Sequence, residues 1–168
     1  WIVPAGDWTI IRIGHTSTGH KNETAGGGKG LECDKFSKDA VTLQFNSWFG
    51  ELMRQGGATA EEIVKLFHID SWECGSQNWS QNFREEFKKR RGYDLYPYLP
   101  VMGGIPVESN QVSEGFLYDV RKTIAELFHD NFFGTLRDLT KKAGVKFVAE
   151  SVAPTMMSDG MLHYSKVD

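Results

Sequence analysis

Apolar and polar positions mark out a short series of elements along the chain. The run Trp8-Thr9-Ile10-Ile11-Arg12-Ile13 is β-rich and predicts a first strand that runs into the polar loop 14–19. From residue 38 to about 54, Val41, Phe45, Trp48, Phe49 and Leu52 recur on one face at the helical period, with Ser37 as the cap. Gly56-Gly57 ends that helix. A short helical start over 59–62 precedes a second strand, 64–69. Asn82 heads a helix over 83–91, with Glu85 in the capping-box position and Gly92 as the stop. A Pro- and Tyr-rich connection, 93–106, leads to a long amphipathic helix over about 114–143. Its apolar face holds Leu117, Val120, Ile124, Leu127, Phe128, Phe132, Leu136 and Leu139. Gly144 closes it, a third strand spans 145–150, and the tail 151–168 reads as loop.

Strands separated by helices imply parallel pairing, because parallel strands need long crossovers. A doubly wound sheet and a (β/α)8 barrel both satisfy that order. No Gly-x-Gly-x-x-Gly turn follows any strand, and long polar loops follow every strand, which favours the barrel. The expected fold is therefore α/β, a fragment of a (β/α)8 TIM-type barrel with about three strands and their crossover helices. A whole barrel takes about 250 residues. Period-two alternation puts Ile10 with Arg12, His68 with Asp70, and Lys146 with Val148 and Glu150. Ile11 and Ile13, Phe67 and Ile69, Phe147 and Ala149 take the opposite faces. Polar groups from three strands are thus expected to meet at one rim.

Composition narrows the function. The chain has 168 residues, 40% hydrophobic and 24% charged, as in soluble globular proteins. Its net charge of -3 gives no electrostatic case for nucleic acid or an anionic membrane. No apolar run approaches the roughly 18 residues that span a bilayer. The Gly26-Gly27-Gly28-Lys29-Gly30 stretch lacks the Gly-Lys-Ser/Thr of a phosphate-binding loop and is read as a long loop folding back over a site. Two cysteines, Cys33 and Cys74, fit either a disulfide or two thiols. The chain opens without a Met or a signal segment, and it is read as part of a single catalytic barrel domain, residues 1–168, truncated at both ends.

The stretch Phe67-His68-Ile69-Asp70-Ser71-Trp72-Glu73 carries the candidate chemistry: a strand running into two acids and a flat ring. Asp70 and Glu73 form the strongest pair. Together they suit a general acid and a group that tunes it, since a second carboxylate raises its neighbour's pKa. A solvated loop or helix cap is the competing reading. Glu150 ends its strand in the same way and is equally readable as a paired rim carboxylate. Glu32 and Asp34 follow the Gly-rich loop, where hard oxygen ligands suit Ca²⁺ or sugar hydroxyls, or simply solvent. Trp72 and Trp79 suit stacking on a sugar, or burial. The five histidines, His15 among them, lack zinc-ligand spacing. The Lys88-Lys89-Arg90-Arg91 run is read as a solvated helix end facing the helix dipole.

Several ordered motifs carry a family resemblance. They are Gly30-Leu31-Glu32-Cys33-Asp34-Lys35, Asp70-Ser71-Trp72-Glu73, Gln77-Asn78-Trp79, Phe87-Lys88-Lys89-Arg90-Arg91-Gly92-Tyr93-Asp94, Ala149-Glu150 and Ala153-Pro154-Thr155. From about residue 11 to 168 the chain resembles the catalytic region of glycoside hydrolase family 106, the α-L-rhamnosidases. The resemblance implies a catalytic barrel in a larger multidomain protein, acting on terminal α-L-rhamnose in glycans by an inverting mechanism. It makes Glu73 the general acid with Asp70 beside it, a possible metal ligand. Glu150, Trp72, Trp79, Glu32, Asp34 and His15 are then the candidate substrate-binding residues, and the resemblance admits a Ca²⁺ near the sugar. It places the general base beyond Asp168, with Glu150 as the fallback, and suggests secretion or a periplasmic location. The implied partners are a rhamnose-containing glycan and the remainder of the chain's own barrel and accessory domains. The 168-residue piece alone is expected to be inactive and poorly soluble; rhamnosidase activity in it would overturn that. Competing readings are a retaining barrel glycosidase, a carbohydrate-binding fragment without chemistry, and, more weakly, a metal-dependent hydrolase of another bond.

Overall fold

A computed structural model describes residues 2–22, 24, 26–151 and 158–168. The Ala153-Pro154-Thr155 motif lies outside them. Ser37 starts the first helix: its side chain accepts from the Ala40 amide and heads α1 (Lys38–Phe45). A π-helical turn, Asn46–Gly50, joins α1 to α2 (Glu51–Ile63). That turn changes the apolar face. Val41, Phe45 and Phe49 are buried as the period requires, but Trp48 and Leu52 are exposed, and Met53 packs inward instead. A wider turn inserts a residue and rotates everything after it, so a fixed 3.6 period fails across it.

The strand β1 (Leu66–Ile69) pairs in parallel with β2 (Lys146–Ala149), with Phe67 opposite Phe147 and Ile69 opposite Ala149. Phe67 and Phe147 point into the helical layer, 5% and 0% exposed, with ring centroids 6.0 Å apart. The expected first strand is not formed. Residues 8–13 have no strand hydrogen-bonding pattern, and Ile10, Ile11 and Ile13 are exposed. A β-rich sequence becomes a strand only when its backbone meets a ladder, and the sheet among the described residues has two strands rather than three. Arg12 therefore does not reach the common rim from a strand.

Between the two strands lie α3 (Phe83–Arg91), a 3₁₀ turn Tyr96–Tyr98, the short α4 (Leu99–Met102) and the long helix. Gly92, at φ 85°, stops α3 as expected. Asn82 makes no side-chain capping bond, contrary to the capping-box reading. Arg90 and Arg91 are not a solvated end. Arg90 reaches Glu86, Glu126 and Asp130 at 3.2, 3.3 and 2.9 Å, and Arg91 pairs with Glu126. The two guanidinium groups thus bracket α3 to the long helix; only Lys89 of this run's pairs stays well exposed.

The long helix begins earlier than expected, at Asn110, where Ser109 caps it through the Val112 amide. It runs as α5 (Asn110–Leu127), a π-helical segment Phe128–Phe133, and α6 (Gly134–Lys142). Phe128 and Phe133 are buried and stack with Phe132 into an aromatic wall. The tail is not all loop: α7 (Gly160–Tyr164) is capped by Asp159, which accepts from the Met161 and Leu162 amides. No helix among the described residues is long and apolar enough to cross a membrane. Cys33 and Cys74 are both free thiols.

Candidate active site

Two strand ends meeting in register build the site. Ile69 sits opposite Ala149, so Asp70 and Glu150 leave the sheet side by side. The Glu150 amide donates to the Ile69 carbonyl at 2.9 Å and extends the ladder by one bond. His68 lies two residues before Asp70 and so on the same face. One ligand atom from each of His68, Asp70 and Glu150 lies within 4.8 Å of the other two, and all three residues are exposed.

The two carboxyls act on each other. The Ser71 amide donates to Asp70 Oδ1 at 2.9 Å, and this bond, followed by the hydrogen bond with Glu150, holds Asp70 below the usual carboxylate range. The same hydrogen bond and the Asp70 charge push Glu150 up. The closeness of the two carboxyls contributes to both shifts. The pair expected from sequence was Asp70 with Glu73. The hydrogen-bonded pair is Asp70 with Glu150, and Glu73 stands beside it, close enough for its charge also to raise Glu150. Glu73 is exposed, and its Oε1 accepts from Ser71 Oγ at 2.8 Å.

The other expected residues fall into two groups. Trp72 and Glu32 line the same cavity as Asp70 and Glu150, a space of about 240 Å³. Trp72 is turned inward, 7% exposed, with Phe128 5.0 Å from its ring and Lys35 Nζ 4.4 Å over it. Glu32 pairs at 2.5 Å with that same Lys35, whose side chain is buried. Asp34, Trp79 and His15 lie apart from this cavity. Asp34 accepts from Gln77 Nε2 at 2.5 Å and Ser80 Oγ at 2.7 Å and ties the loop after the glycines to the segment after Glu73. His15 stacks on Trp79 at 5.9 Å, and Trp79 packs on Phe83. Gly75, at φ 74°, passes so close to His20 that a Cβ would meet the ring at 3.2 Å. The 14–20 loop therefore lies against the segment beyond Glu73, while no described residue of the 26–30 stretch lines the cavity.

Sequence reasoning missed three contributors. His68 was visible in the period-two face but carried no ligand spacing. Ser71 serves both acids, through its amide to Asp70 and its hydroxyl to Glu73. Lys35 gave no signal, because a lysine buried among rings is unusual.

The chain is 43% identical over 151 residues to a protein of Formosa agariphila that carries the provisional name beta-glucuronidase, covering 89% of this chain and 13% of that protein. It also matches the structure of a rhamnosidase from Novosphingobium sp. PP1Y, with a TM-score of 0.79 and 31% identity over 89% of this chain and 15% of that one. The chain thus spans under a sixth of the length of each. The family model described as alpha-L-rhamnosidase, glycoside hydrolase family 106, matches residues 1–168, and the chain belongs to that family.

Proposed function

We propose that this chain supplies part of the active site of an inverting α-L-rhamnosidase, inside a (β/α)8 barrel completed by the rest of a longer enzyme. The observation that carries the reading is the meeting of Asp70, Glu150 and His68 at the ends of two parallel strands, with Glu73 beside them. Active sites of such barrels form at that end of the strands.

Spacing supports a division of roles. An inverting pair stands roughly 6.5–9.5 Å apart, leaving room for water. Asp70 and Glu150 share a hydrogen bond and lie within 4.8 Å, too close to hold a sugar and a water between them. They serve as one binding unit, and the proton donor is Glu73, with Ser71 Oγ orienting its carboxyl. The base comes from outside the described residues. Charge also favours a neutral sugar. A uronate carboxylate beside Asp70, Glu73 and Glu150 would meet like charge, whereas a deoxyhexose would not.

A Ca²⁺ fits part of this set. Asp70 and Glu150 offer the hard oxygen donors that the ion takes, while the His68 nitrogen suits softer metals and would remain a neighbour. When bound, the ion would supply positive charge to sugar hydroxyls. Asp70 and Glu150 would hold it, and His68 would keep its place on the same face. Calorimetric titration of Ca²⁺ into the intact enzyme should show binding that Asp70→Asn weakens; heats unchanged by that substitution would remove the ion from this site.

The raised pKa of Glu150 favours one second reading, in which Glu150 is itself the proton donor. Leaving-group dependence separates the two. Glu73→Gln in the intact enzyme should abolish turnover of unactivated rhamnosides while sparing binding and much of the turnover of an aryl rhamnoside with a good leaving group. Near-normal turnover of both substrates in Glu73→Gln, with the selective loss appearing in Glu150→Gln, would transfer the role to Glu150.

A further inference from the structure

We infer that Ser151 and His163 are positioning residues that fix the Glu150 carboxyl against Asp70, a role that rests on the reading of those two acids as the binding unit of the site. Glu150 is held from both sides. Before it, the β1–β2 ladder fixes its own amide on Ile69. After it, Ser151 is gripped by α7 at three points. The Ser151 amide donates to the Tyr164 hydroxyl at 3.4 Å, Ser151 Oγ donates to the Gly160 carbonyl at 3.3 Å, and His163 Nδ1 lies 2.8 Å from the same oxygen. The spacing leaves little slack, since a Cβ on Gly160 would meet Ser151 Oγ at 3.3 Å.

The proton inventory fits one arrangement. If Ser151 Oγ donates to Gly160, then His163 must donate from Nδ1, and its Nε2 is a bare acceptor. Nε2 is indeed buried with no partner among the described residues. A bare lone pair against aromatic rings costs less than a buried N–H with no acceptor, so the neutral Nδ1–H tautomer is selected.

His163 is in turn set by the aromatic wall. Its ring is fully buried, stacked on Phe133 at 4.4 Å and 15° and edge-on to Phe128 at 4.9 Å. Phe128 also packs against Trp72, between Asp70 and Glu73. One ring of the Phe128–Phe133 segment therefore touches the supports of both strand ends. π-helical turns inside α-helices occur often at functional sites, and here the turn provides that shared wall.

The test uses the intact enzyme and a double-mutant cycle. Ser151→Ala removes the hydroxyl, and His163→Phe keeps the stacking ring while removing Nδ1. Each should lower kcat/KM on an α-L-rhamnoside by about tenfold or more, the usual size for a group that orients a ligand. His163→Asn, which places an amide N–H near the Nδ1 position, should restore part of the loss. In a Glu150→Gln background, Ser151→Ala should cost little more, because the clamp acts through Glu150. Unchanged kcat/KM in Ser151→Ala and His163→Phe beside a large loss in Glu150→Gln would overturn the clamp alone. Full additivity in the cycle would overturn it too, marking both residues as merely structural. Full activity of Glu150→Gln would overturn the reading of the acids and the clamp with it.

Discussion

Among single residues, His163 ties stability to the site most directly. Burial, and then the nearby His129, lowers its pKa to about 4. In an unfolded chain the same imidazole titrates near 6.5. Between these values the unfolded chain takes up a proton that the folded chain refuses, so stability rises with pH through the window. The contribution is complete above about pH 6.5 and is lost as pH falls towards 4, a difference on the order of 3 kcal/mol. Urea unfolding of the domain at pH 7 and pH 4.5 should therefore show a loss that His163→Phe largely removes; the same pH dependence in the variant would place its origin elsewhere. Residue identity at the strand ends was legible from sequence, because alternation alone put His68 with Asp70 and marked Glu150 as a strand-end acid. Alternation also put Asp70 and Glu150 on one rim, as found, but their direct pairing in place of Asp70 with Glu73 was not legible. It depends on the register of two strands nearly eighty residues apart, which local spacing does not encode.

At the scale of elements, caps and π-helical turns decide where the pattern succeeds and fails. Helical spacing placed α1, α3 and the long helix correctly and found the two strands that pair. It erred where a helix departs from 3.6 residues per turn, so Trp48 and Leu52 came out of the core and Phe133 took an inner position. Two helix starts also differ. Ser109 bonds the Val112 amide at 3.1 Å, whereas Asn82 makes no side-chain cap. Ser109→Ala should therefore cost about 1 kcal/mol and Asn82→Ala much less. Denaturant unfolding of both variants checks this, and equal losses would contradict the capping geometry. The β-rich segment 8–13 shows the limit of local propensity. Its residues suit a strand, but a strand needs a neighbour.

At the scale of the whole molecule, several large apolar side chains face solvent. Ile10, Trp48, Ile63 and Leu66 are 79, 61, 70 and 52% exposed, more large apolar surface than an isolated domain usually leaves to solvent. Trp48 and Leu66 flank the buried Phe67 of β1, where a further barrel unit would pack under the proposed fold. The two matched relatives pose the sharpest question about substrate, since one is named a beta-glucuronidase and the other a rhamnosidase. Under the proposed function, the acid cluster at the strand ends disfavours a uronate. The decisive measurement is kcat/KM of the intact enzyme on matched aryl α-L-rhamnoside and aryl β-D-glucuronide substrates. Turnover of the rhamnoside with little or none of the glucuronide is the expected result; preferential turnover of the glucuronide would contradict the assignment of this site.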